Sequence, residues 1–165
     1  MKTSRIVAAA ALAMALSGCG IGQSDVRSEG EAPAGLALGP TLYFVEEDGG
    51  LVPSVDVALG RLGTAEDAIA RLVENTGSKT ESRGLTTEVP RSDIRPIVFD
   101  GHSQLDILLP FSREEVSPTG LDQIVCTARR YIIDSGRSSD RTLVHVSFTD
   151  DEGDPGAPDV CPILK

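Results

Sequence analysis

The chain has 165 residues and carries 25 acidic against 15 basic side chains, a net charge of −10 at pH 7. That balance excludes nucleic acid as a partner, because phosphate backbones are bound through basic footprints. It equally excludes broad contact with anionic lipid headgroups. The length suits one domain with a real core. With no Trp, two Tyr and four Phe, there is little aromatic surface on which sugars could stack.

The first segment is basic at Lys2 and Arg5, then apolar over residues 6–16. That run is too short for a membrane span, which needs roughly 20 residues, and it reads as a secretory signal. It closes with Leu16-Ser17-Gly18-Cys19, a tetrad that resembles the lipobox of bacterial lipoproteins. The resemblance implies cleavage after residue 18, acylation of Cys19, and attachment to membrane lipid on the extracytoplasmic face of the cell membrane. Loss of Lys2 and Arg5 takes the processed chain to a net −12, so attachment rests on acyl chains at about 0.8 kcal/mol per buried CH₂. Residues 19–40 are rich in Gly, Ser, Ala, Glu and Pro. They read as the acylated cysteine and a flexible tether, with an r.m.s. reach on the order of 25 Å.

Residues 41–165 are expected to form the globular domain. Two β-prone runs, 41–45 and 51–57, flank Asp48-Gly49-Gly50 and predict a hairpin. Pro53 cannot donate to a ladder, which places the second strand on an edge. Thr64 with Asp67 forms a variant capping box. It opens a helix over 65–75 whose Ala65, Ala68, Ile69, Leu72 and Val73 make one apolar stripe. Strands are expected at 85–89, 94–99 and 104–109, the last two joined at Asp100-Gly101. Ser117-Pro118 starts a second helix, with Leu121, Ile124, Val125, Ala128, Tyr131 and Ile132 on one side and Arg129 and Arg130 in its last turns. A final strand spans 142–148, with His145 on its wetter face. The order ββαβββαβ predicts an α+β fold with two helices on one face of a mixed sheet.

Acylation of Cys19 leaves Cys126 and Cys161, and an even pair in an exported protein reads as a disulfide. Cys126 lies roughly 150° from the centre of its helix's apolar stripe, so a tail tied across that face through Cys161 accounts for it. Two cysteines this far apart, with no His nearby in sequence, lack zinc spacing.

Catalytic signatures are scarce. Neither Gly-x-Ser-x-Gly, Gly-x-Gly-x-x-Gly nor a Walker loop occurs, and no cofactor is implied. His102 and His145 are the only imidazoles. Either could serve as a base beside Asp100, Asp106 or Ser103, but proximity in sequence does not supply the geometry. Adjacent Glu114 and Glu115 would not share a helix face. Asp150, Glu152 and Asp154 are a calcium candidate without the Gly and distal Glu of an EF-hand.

From residue 41 the chain resembles the GerMN domain, the sporulation and spore germination module of exported bacterial proteins. The resemblance lies in Leu42-Tyr43-Phe44-Val45, Gly50-Leu51-Val52-Pro53, Gly84-Leu85-Thr86-Thr87-Glu88-Val89-Pro90, Leu105-Asp106-Ile107 with Leu109, and Gln123-Ile124-Val125 with Thr127-Ala128. The acidic, cysteine-bearing C-terminus departs from that pattern. The resemblance implies a non-catalytic module acting by contact with an envelope or membrane protein, as relatives do with sporulation channels and sensor kinases. The expected contact edge is Leu51, Val52, Ser54, Val55 and Val57, since open strand edges accept added strands. The alternatives are a small-ligand or calcium-binding lipoprotein and, further off, an envelope hydrolase.

Overall fold

Sequence periodicity becomes packing in a computed structural model that describes residues 39–55, 63–74, 84–151 and 157–164. Strand β1 (Thr41–Val45) and β2 (Leu51–Val55) form an antiparallel hairpin with Tyr43 opposite Pro53. Its turn is fixed by Gly49 at φ 84° and by the Gly50 amide donating to Asp48 Oδ1 at 2.9 Å. Glycine tolerates that left-handed backbone without penalty. All five β1 residues are buried. Because strand side chains alternate, both faces of β1 are therefore covered.

Helix α1 (Ala65–Glu74) follows, and its expected stripe is buried. Its capping box is reciprocal: the Asp67 amide donates to Thr64 Oγ1 at 3.1 Å, and the Thr64 amide donates to Asp67 Oδ2 at 3.1 Å. Asn75, the expected end of this helix, lies outside the described residues.

The expected strand at 85–89 is not a strand. Only Thr86 pairs, through a two-bond antiparallel bridge to Val45 at 2.9 and 2.8 Å. The Glu88 amide goes instead to Gln123 Oε1 and the Val89 amide to Thr87 Oγ1. Side chains thus claim the donors that a ladder would need.

β3 (Ile97–Asp100) starts later than expected because Pro96, which has no N–H, precedes it. It pairs antiparallel with β4 (Gln104–Leu108), and β4 pairs in parallel with β5 (Leu143–Ser147). That parallel pair needs a crossover, which a short 3₁₀ turn (Arg113–Glu115) and helix α2 (Pro118–Asp134) provide. Ser117 caps α2 by accepting from the Gly120 amide at 3.0 Å. A Cβ on Gly120 would lie 2.6 Å from the Glu88 carbonyl oxygen, so glycine lets the 84–90 segment approach the helix.

The α+β class holds, with two helices and both pairing senses among the described residues, but the described strands divide into two sheets, β1-β2 and β3-β4-β5. Helix α2 also departs from a one-face arrangement. Residues 123–128 are all buried, more than a full turn of the helix, and it packs on β1, α1 and β5. It also runs past Arg129 and Arg130, so neither arginine sits in the last turn. Arg130 pairs with Asp134 at 2.8 Å, and Arg129 Nη1 donates to the Ser139 carbonyl at 2.6 Å. No helix among the described residues is long and apolar enough to cross a membrane.

Thr64→Ala removes one half of the α1 cap and should cost about 1 kcal/mol in urea unfolding. Hydrogen bonds from the Thr64 side chain and then from its amide hold the Asp67 carboxyl below its ordinary range. A depressed folded-state pKa stabilises above the unfolded value and is lost as pH falls through the folded one. The Thr64→Ala deficit should therefore be full at neutral pH and shrink below about pH 4.

Candidate functional site

Two strand edges are closed by groups that are not strands. On β1, Gln123 Nε2 donates to the Tyr43 carbonyl at 2.9 Å, and the Tyr43 amide donates to Thr127 Oγ1 at 3.0 Å. Both side chains are fully buried and stand one helical turn apart on α2. Gln123 Oε1 also accepts the Glu88 amide at 2.7 Å, so one amide group joins helix, strand and loop.

On β5 the closing group is the C-terminal tail. The Asp159 amide donates to the Val144 carbonyl at 2.8 Å, and the Val146 amide donates to Asp159 Oδ2 at 2.9 Å. Two residues on, the tail is fixed to α2 by the disulfide Cys126–Cys161, with Cα atoms 4.8 Å apart. Both cysteines are buried. Cys126 is off the Ile124–Ala128 stripe, as its spacing requires, and the tail covers it there.

β2 pairs with β1 alone among the described residues. Tyr43 turns its amide and carbonyl toward α2, so Tyr43–Pro53 is a non-hydrogen-bonded pair and the missing Pro53 N–H leaves no gap in the hairpin. Leu51, Val52 and Ser54 are partly exposed, while Pro53 and Val55 are open. Val57 lies outside the described residues, as does Cys19.

The acidic C-terminal carboxylates serve the backbone. Asp150 Oδ1 accepts the Arg113 amide at 2.9 Å and Asp151 Oδ2 the Phe148 amide at 2.8 Å, while the Arg113 guanidinium lies 4.5 Å from the Phe148 ring centroid. Glu152 and Asp154 lie outside the described residues. No cluster of three potential metal ligands occurs among the described residues.

The histidines stand apart from one another's chemistry. His102 is exposed at the β3–β4 turn, beside an open cleft of about 420 Å³ that also borders Asp100, Arg137 and Arg141. Asp100 is committed there to Arg137 at 2.6 Å and to the Tyr131 hydroxyl at 3.3 Å. Burial first, and then Asp100, raises the Tyr131 pKa. His145 does face away from the Val144–Val146 side but is only 7% exposed, not wet as its alternation suggested, and its Nδ1 is buried without a hydrogen-bond partner. Its register partner is Asp106, whose carboxylate accepts from Gln104 Nε2. Neither imidazole hydrogen-bonds a hydroxyl among the described residues.

One surface was not anticipated. Two faces of the three-stranded sheet alternate, and the outer one shows Ile97, Phe99, Leu108 and Leu143 at 50, 64, 38 and 43% exposure. The register sets Ile97 beside Leu108 and Phe99 beside Asp106. The signal was present in Ile97-x-Phe99 and Asp106-x-Leu108, but alternation alone does not say which face is covered.

Cys161→Ser should lower stability by about 4 kcal/mol on the chain-entropy model. It should also release Asp159, so the Val146 amide should lose hydrogen-exchange protection while the Val45 amide keeps it. Gln123→Leu leaves the Glu88 N–H and the Tyr43 C=O unpaired. It should cost about 2–6 kcal/mol in urea unfolding, at roughly 1–3 kcal/mol per unpaired group.

No protein-family model, curated protein or solved structure matches this chain.

Proposed function

We propose that the chain is a lipid-anchored extracytoplasmic protein whose GerMN-like domain works by binding another envelope or membrane protein through the open β2 edge. The observation that carries this reading is the unequal treatment of edges: β1 and β5 are closed by Gln123, Thr127 and Asp159, while among the described residues β2, like β3, pairs on one side only, and β2 is the one whose open edge carries the expected contact residues. An unclosed strand presents backbone donors and acceptors to a partner's extended segment. Pro53 limits the register such a segment can adopt, since it offers a carbonyl and no donor.

Support for export comes from two separate places in the chain. The lipobox-like Leu16-Ser17-Gly18-Cys19 is one. The other is the Cys126–Cys161 bond, since disulfides persist in oxidising compartments. Membrane attachment is then a property of Cys19, and the acidic domain contributes none of it.

In-cell crosslinking from β2, followed by mass spectrometry, tests both parts. One dominant membrane partner is expected with the native chain. It should be lost with Cys19→Ala, which removes the anchor, and reduced at least tenfold with Val55→Asp, which places a charge on the edge. A crosslink pattern unchanged by Val55→Asp would remove the edge from the reading. A pattern unchanged by Cys19→Ala would remove the anchor.

A further inference from the structure

Resting on the interaction-module reading but using a different surface, we infer that the outer face of β3-β4-β5 docks a short amphipathic segment of a partner protein that combines an apolar stripe with a cation. Ile97, Phe99, Leu108 and Leu143 are all more than a third exposed on this face. Ile97, Phe99 and Leu108 adjoin across β3 and β4, with Leu143 beyond Gln104 on β5, and a contiguous exposed apolar patch is a candidate contact site.

The composition of the patch names its occupant. Asp106 stands between Phe99 on β3 and His145 on β5 in register, so one carboxylate lies within the apolar surface. Among the described residues only Gln104, on the same strand, hydrogen-bonds it. No Lys or Arg belongs to β3, β4 or β5, and the base beside Asp106 in register, His145, is buried; the inferred partner supplies the complementing cation.

A second copy of this chain fits poorly. Two copies bring −10 against −10, and a face-to-face pairing would set one Asp106 near the other. A stable dimer also needs about 800 Å² per partner, or some twenty residues. Four half-exposed side chains supply far less, which suits a single helix or strand of a partner lying across the sheet. A cation at its centre would give orientation and attraction at a distance, while the apolar contacts give residence time.

The test uses purified full-length protein and two synthetic amphipathic peptides, one of Leu and Lys and one of Leu and Glu. The Leu/Lys peptide should bind saturably by fluorescence anisotropy, with amide shifts confined to β3, β4 and β5. Asp106→Lys should weaken it about tenfold and turn preference toward the Leu/Glu peptide. Phe99→Ser should weaken both pairings without altering net charge, and Leu143→Ser repeats that test should Phe99→Ser fold poorly. Val55→Asp, on the β2 edge, should leave peptide binding unchanged.

Absence of saturable binding overturns the inference. So does binding indifferent to Asp106→Lys and to both serine variants, which would mean general attraction to an acidic protein. Sedimentation showing a dimer dispersed by Phe99→Ser would make the occupant a second copy and overturn it as well. Each of these outcomes leaves the β2 crosslinks to be judged separately, so failure here and failure of the edge reading are distinct.

Discussion

The contact between α2 and the backbone of Tyr43 is the constraint on which the rest of this structure depends. A buried strand with one unpaired edge would carry an amide and a carbonyl with no partner, each costing about 1–3 kcal/mol. Gln123 and Thr127 supply both partners from one helix face. Since that edge is filled by side chains and by Thr86, no strand of the second sheet can join it. The domain therefore holds two small sheets with α2 between them, and the helix must be apolar or fully satisfied on most of its circumference.

The same logic operates at β5 with different material. There the chain's own tail supplies an amide and a carboxylate at strand spacing, and the disulfide keeps it in place. Asp150 and Asp151 act similarly at the turn after β5. Much of the C-terminal acidity is thus structural, with carboxylates standing in for missing backbone acceptors.

Against this background the open surfaces gain meaning. The β2 edge and the part of the outer β3-β4-β5 face around Ile97, Phe99, Leu108 and Leu143 are exposed in a domain that closes β1 and β5 with side chains and tail. They face different chemistry. The edge offers backbone groups interrupted by Pro53, and the face offers apolar side chains around Asp106. A protein that meets more than one partner, or one partner at two places, would need two such surfaces. The cleft beside His102 has its carboxylate tied to Arg137, which leaves less there for a ligand to engage.

What the sequence determined by itself was local and periodic. The hairpin turn, the Thr64–Asp67 cap, the Ser117-Pro118 start of α2 and the pairing of Cys126 with Cys161 were all legible, because each depends on residues a few positions apart or on arithmetic with two cysteines. The β2 edge was legible too, from the one missing donor at Pro53. The tertiary structure decided the rest. Residues 85–89 look like a strand, yet the Glu88 donor goes to Gln123 on α2. His145 alternates outward yet is buried. Ile97 and Phe99 alternate like core residues, yet they face water. Each of these outcomes turns on what lies across a gap of dozens of residues, and periodicity reports which side chains share a face without saying what covers it.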